Sequence, residues 1–173
     1  MNGIVPDGKS VMYRAREEAT QYEKMFGIKI PAATLANRLA LNSQMKTMYA
    51  NYRPIGSAMI IASHDQVKGF GLYLLEPSGT LYEYYGCASG RGKQLARNEI
   101  EKKNFKDITV AEAVPLIAKI LLKAQEEMKE KKQELEISII SEETKFLHKI
   151  LDRDFVDRLT TQAQQDIENE QME

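Results

Sequence analysis

The chain has no tryptophan, one cysteine and two histidines among its 173 residues. Cys87 has no second cysteine to pair with, so no internal disulfide supports the fold, and its place in an apolar stretch fits a packing role in a reducing compartment. With only His64 and His148, neither a metal cluster nor a local Ser-His-Asp arrangement is legible, and no His-Glu-x-x-His occurs. No apolar run approaches the roughly 20 residues of a membrane span. Residues 1–6 also lack the basic-then-apolar pattern of a signal peptide. An excess of charge is missing too: 24 basic against 25 acidic residues leave no broad field for nucleic acid or an anionic membrane. These deficits point to a soluble intracellular protein that recognises partners by shape, with no cofactor and no metal expected.

What is present suits a globular fold. A 43% hydrophobic content over this length supports a sizeable core, and no linker or internal repeat divides the chain, so one domain over 1–173 is expected. Asp7-Gly8-Lys9-Ser10 reads as turn and cap chemistry. Met12, Ala15, Ala19, Tyr22 and Phe26 then recur at helical spacing until Gly27. The opposite face of that helix, including Arg14, Glu17, Glu18 and Gln21, is polar. A second helix follows Pro31, with Leu35, Leu39, Met45, Met48 and Tyr49 apolar, and Arg53-Pro54 stops it because proline fixes φ and disfavours a helical residue before it. Residues 55–62 and 70–75 are apolar at almost every position, which predicts strands covered on both faces. Pro77-Ser78-Gly79 predicts a tight turn into a third strand over 81–88, pairing antiparallel with the one before it.

Residues 91–104 read as a polar helix. Thr109 with Glu112 forms a capping-box pattern for a further helix with the stripe Val110, Val114, Ile117, Leu121, Ala124 and Met128, and Pro115 lies inside it. A charge-dense connection over 126–134 leads to an alternating strand over 134–141. Residues 146–150 predict another short strand. Asp152 opens a last helix with Phe155, Leu159, Ala163 and Ile167 apolar, and residues 168–173 read as an acidic, frayed tail. The order is helix, helix, three strands, helix, helix, one or two strands, helix. That order predicts an α+β fold of stacked sheets between helical layers.

Gly86-Cys87-Ala88-Ser89-Gly90-Arg91-Gly92-Lys93-Gln94 invites a phosphate-loop reading, but five residues separate Gly86 from Gly92, and Gln94 stands where Ser or Thr should meet the magnesium ion. The glycines fit a tight strand-to-helix turn better. A nucleotide-binding module is therefore a minor alternative.

Taken together, Arg53-Pro54-Ile55-Gly56, Leu72-Tyr73-Leu74-Leu75-Glu76-Pro77-Ser78-Gly79, Gly86-Cys87-Ala88-Ser89-Gly90 and Asn98-Glu99-Ile100-Glu101-Lys102, in this order and spacing, resemble the α-type subunits of the 20S proteasome. The family pattern usually has Phe where Ile55 stands and Asp where Glu76 stands. The resemblance implies a four-layer αββα sandwich of the N-terminal nucleophile hydrolase type, with Arg53, Pro54, Gly56, Pro77, Ser78, Gly79 and Gly86 as structural signature residues. It also implies that the first quarter to third of the usual subunit precedes residue 1, so that sheet edges and apolar faces are left uncovered. Catalysis in that superfamily uses an N-terminal Thr, Ser or Cys. Met1 offers none, and α-type subunits are non-catalytic. The implied role is structural: a place in the α ring beside other α subunits and the β subunits, with gating and docking of regulatory particles, in cytoplasm and nucleus. The first long helix would then lie at the α-to-β ring contact, which makes Arg14, Glu17, Glu18 and Gln21 candidate interface residues. An active N-terminal-threonine peptidase, β-type or bacterial, is the alternative from another class.

Overall fold

The computed structural model describes residues 1–128 and 134–172. It divides into two compact units, Met1–Gly90 and Arg91–Glu173, where the sequence predicts one domain. The centre of the charge-dense connection, residues 129–133, lies outside the described residues.

In the first unit a two-residue strand, β1 (Asn2–Gly3), precedes the long helix α1 (Val5–Phe26). The helix starts earlier than the sequence predicts. Ile4 holds the extended cap position and Pro6 sits in the first turn, where its missing N–H removes no helical bond. Asp7-Gly8-Lys9-Ser10 are thus helical, and Asp7 places a negative charge at the positive end of the helix dipole. Gly27 ends α1 in the left-handed region, at φ 71°, and its N–H donates to the Glu23 carbonyl. Helix α2 (Ala32–Met48) begins directly after Pro31. Its first N–H donates to the Asp65 carboxylate at 3.2 Å, a cap supplied from 33 residues away.

Strands β2 (Ser57–Asp65), β3 (Gly69–Leu75) and β4 (Leu81–Glu83) complete an antiparallel sheet in the order β1-β2-β3-β4. The register sets Ile61 opposite Tyr73 and Leu75 opposite Leu81. Both pairs lie on the face that meets the helices. There Val11, Leu39, Ala40, Ile55 and Leu75 form one buried cluster, and Ala32, Ala36 and Tyr73 a second. Each large aliphatic side chain buried there contributes about 1.5–3 kcal/mol. The other face carries Ala58, Ile60, Leu72, Leu74 and Tyr82; Leu74 is buried, but Ile60, Phe70 and Tyr82 keep 38%, 56% and 62% of their surface exposed. The expectation of strands covered on both faces is therefore met on the helix side alone. The third strand is also shorter than predicted: β4 stops at Glu83, and beyond it the Tyr84 N–H still donates to the Leu72 carbonyl.

The second unit contains α3 (Lys93–Glu101), α4 (Val110–Glu127), a small ladder of β5 (Ser138–Ile139) with β6 (Lys149–Ile150), and α5 (Arg153–Met172). Thr109 and Glu112 form the capping box that the sequence predicts. The buried side of α4 differs from the predicted stripe. Val114, Ala118 and Leu122, four residues apart, turn inward, whereas Val110, Ile117, Leu121 and Met128 stay exposed. Alternation along 135–139 is retained in burial, since Leu135, Ile137 and Ile139 all pack on the Val114, Ala118 and Val156 cluster, although only two residues pair as a strand. Helix α5 continues through Met172. Ala163 and Ile167 pack with Leu122, and Glu170 receives Lys119 at 2.5 Å and Lys123 at 2.8 Å. Glu173 lies outside the described residues.

Candidate functional site

The Arg53-Pro54-Ile55-Gly56 passage connects the end of α2 to the start of β2, and its partner is the first turn of α1. Both terminal nitrogens of Arg53 donate to Asp7, Nη1 to Oδ2 at 2.6 Å and Nη2 to Oδ1 at 2.7 Å. The Gly56 N–H adds a third bond to Oδ2 at 2.8 Å. The Arg53 guanidinium first, and then the Gly56 amide, hold the Asp7 carboxyl well below the usual carboxylate range. The same carboxylate raises the Arg53 guanidinium. Around this pair the Ile4 N–H donates to the Gly56 carbonyl at 2.8 Å and the Ser57 hydroxyl donates to the Ile4 carbonyl at 2.7 Å. Gly3, at φ 116°, lies so close to the Gly56 carbonyl that no side chain fits between them. Ile55 points into the core beside Leu75. Arg53, Pro54 and Gly56 thus form a tie that fixes the amino end of α1 to β2. Sequence reading found three of its members and missed Asp7, whose signal is the acidic residue after a helix-starting proline.

Pro77-Ser78-Gly79 makes the tight turn between β3 and β4. The Gly79 N–H donates to Glu76 and the Glu76 N–H to Thr80, both at 2.9 Å, and the Ser78 hydroxyl reaches Thr80 Oγ1 at 2.8 Å. Gly79 has φ 89°, and a Cβ there would stand 2.8 Å from the Ala40 carbonyl and 2.7 Å from the Gln44 nitrogen. Its lack of a side chain lets the turn lie against α2. Gly86 is half-buried beyond β4.

The four residues of the polar α1 face have different surroundings. Glu18 is an internal group: its side chain is 11% exposed, with Arg14 Nη2 at 2.5 Å on one oxygen and Arg38 Nη1 of α2 at 2.9 Å on the other. The Arg38 guanidinium also lies over the Tyr22 ring at 5.4 Å. Glu18 thus joins two helices, and Arg14, Glu17 and Gln21 remain at the surface. Arg14 and Glu17 border an open groove of about 580 Å³ between α1 and α2, lined also by Lys9, Ser10, Tyr13, Asn42 and Lys46.

Among the described residues no three His, Cys, Asp or Glu side chains gather as a metal site, and no helix is long and apolar enough to cross a membrane. His64 packs edge-on against Phe70, ring centroids 4.8 Å apart. Gly90 and Gly92, at φ 104° and 69°, take left-handed conformations leading into α3, as a tight turn requires.

The described residues form a mixed helix and sheet fold in which an Arg-Pro-x-Gly passage ties the first turn of α1 to the entry of β2. Residues 1–140 match the family model described as proteasome subunit, and the chain belongs to that family. Its relatives are of the α type. It is 37% identical to "Proteasome subunit alpha type-3" of Dictyostelium discoideum over 98% of this chain and 68% of the relative. It is 39% identical to the protein of the same name from Arabidopsis thaliana over 96% of this chain and 66% of the relative. It is also 39% identical to "Probable proteasome subunit alpha type-7" of Saccharomyces cerevisiae, over 96% of this chain and 59% of the relative. The chain thus spans about two thirds of the length of the first of these relatives, and less of the last.

Proposed function

We propose that this chain is a non-catalytic structural subunit of the α ring of the 20S proteasome core, where it supports assembly, gating and the docking of regulatory particles in ubiquitin-dependent protein degradation. The carrying observation is the similarity over almost the whole chain to relatives named as α subunits, α type-3 foremost. Those names favour the α-ring role over an active β-type threonine peptidase. In this reading the part of the fold described here belongs to a four-layer αββα sandwich. The uncharged sheet face bearing Ile60, Phe70 and Tyr82 supports it, since such a face needs a second apolar layer. Neighbouring α and β subunits are the partners, the exposed α1 surface at Arg14, Glu17 and Gln21 meets one of them, and the compartments are cytoplasm and nucleus.

The test is affinity purification of the tagged chain from cells, followed by sizing and mass spectrometry of its companions. Recovery of other α and β subunits in a particle of core size is expected. A lone monomer, or companions without any proteasome subunit, overturns the proposal.

A further inference from the structure

The groove between α1 and α2 carries an unbalanced charge. Lys9, Arg14 and Lys46 line it against a single acid, Glu17. Arg14 is already engaged by Glu18 at 2.5 Å and Glu17 at 3.5 Å, so its charge is answered within the fold. Lys9 and Lys46 make no ion pair among the described residues, and both oxygens of nearby Asp7 are taken by Arg53 and Gly56. Two ammonium groups without an ion pair among the described residues, Lys46 lying within the field of Asp7, therefore flank a depression that also offers the Ser10 hydroxyl and the Asn42 amide as donors.

From this arrangement we infer that the α1–α2 groove docks an acidic segment of a partner polypeptide, with an Asp or Glu side chain between Lys9 and Lys46. A protein is the fitting occupant. The depression is open, its donors are surface side chains on two helices, and the exposed Tyr13 ring beside them provides the amphipathic contact that protein interfaces favour. A small anion would need donors converging in an enclosed site. Opposite charge across such a contact selects the partner and speeds its encounter, while like charge rejects it. The inference rests on the ring-subunit reading and specifies the chemistry of the surface that meets α1.

The experiment expresses the tagged full chain in cells, as wild type, Lys9→Glu/Lys46→Glu and Lys9→Arg/Lys46→Arg, and measures the fraction in core-sized particles. Circular dichroism of the purified chains checks that the variants fold alike. Incorporation of wild type and of the arginine pair, with a loss of about tenfold or more for the glutamate pair, is expected. Carbodiimide treatment of wild-type particles is expected to link Lys9 or Lys46 to an Asp or Glu of another subunit. Equal incorporation of the glutamate pair, or particles in which neither lysine links to a foreign carboxylate, overturns the docking inference and leaves the ring reading intact. Absence of wild-type chain from particles overturns both.

Discussion

Asp7 and Arg53, 46 residues apart, are joined by two parallel hydrogen bonds of 2.6 and 2.7 Å, so one carboxylate ties the first turn of α1 to the entry of β2. Replacing Asp7 with Asn removes the charge and leaves the Arg53 fork and the Gly56 N–H with a poorer acceptor. The expected result is a lower urea midpoint at pH 7 with an unchanged denaturant slope. The pH dependence has a definite sign. The folded carboxyl titrates below its unfolded value, so its stabilisation is complete above the unfolded value and is lost as pH falls towards the folded one. Wild type should therefore approach Asp7→Asn in stability on acidification. A gap between the two that stays constant from neutral pH to strong acid would contradict this account.

Gly79 and Gly27 both have left-handed backbones, at φ 89° and 71°, yet only Gly79 is pressed against another element. A methyl at Gly27 meets open space, so Gly27→Ala costs about 1–2 kcal/mol from backbone strain alone. Gly79→Ala adds a collision with the α2 backbone at Ala40 and Gln44, and its cost should exceed that of Gly27→Ala by at least about 1 kcal/mol. Paired chemical denaturation measures both. Equal losses would mean that the β3–β4 turn does not lie on α2.

Ile167 keeps 2% of its surface exposed, near the end of α5, beside Leu122 and Ala163. Ile167→Ala should destabilise the second unit by about 2–5 kcal/mol through lost burial and the cavity left behind. A change under about 0.5 kcal/mol is the response of a frayed tail and would remove this part of α5 from the core.

Which of these features the sequence revealed follows from their range. The Thr109–Glu112 box and the Gly27 stop are local, completed within a few residues, and both occur where the residues predict them. The Pro77-Ser78-Gly79 turn was legible for the same reason. The Asp7–Arg53 tie, the capping of α2 by Asp65 and the pairing of Asn2 with Ala58 join distant segments, and no periodicity announces them. The buried face of α4 was misjudged because apolar residues surround much of that helix; with Ile117, Ile120, Leu121 and Leu122 in sequence, spacing alone fits more than one inward face. Arg14 stands one turn from Glu18 on α1, but the burial of Glu18 follows from Arg38, which becomes its partner only after α1 and α2 are packed.

Glu170 provides another acid-sensitive contact, in the unit that carries α5. Lys119 and Lys123 of α4 both donate to its carboxylate and lower it from the ordinary 4.5 to about 2. A depressed carboxyl contributes stability that is whole above its unfolded value and disappears as pH falls through the folded one, which here places the loss between about pH 4.5 and 2. Salt should weaken the same contact, because all three groups keep solvent access. Amide exchange in the last turns of α5 should accelerate across that pH window, after correction for the intrinsic rate, and on addition of salt at neutral pH. Glu170→Gln should show the faster exchange already at pH 7 and little further change on acidification. If the two proteins respond to acid and salt alike, the lysine pair does not hold the end of α5, and the packing of Ala163 and Ile167 holds it alone.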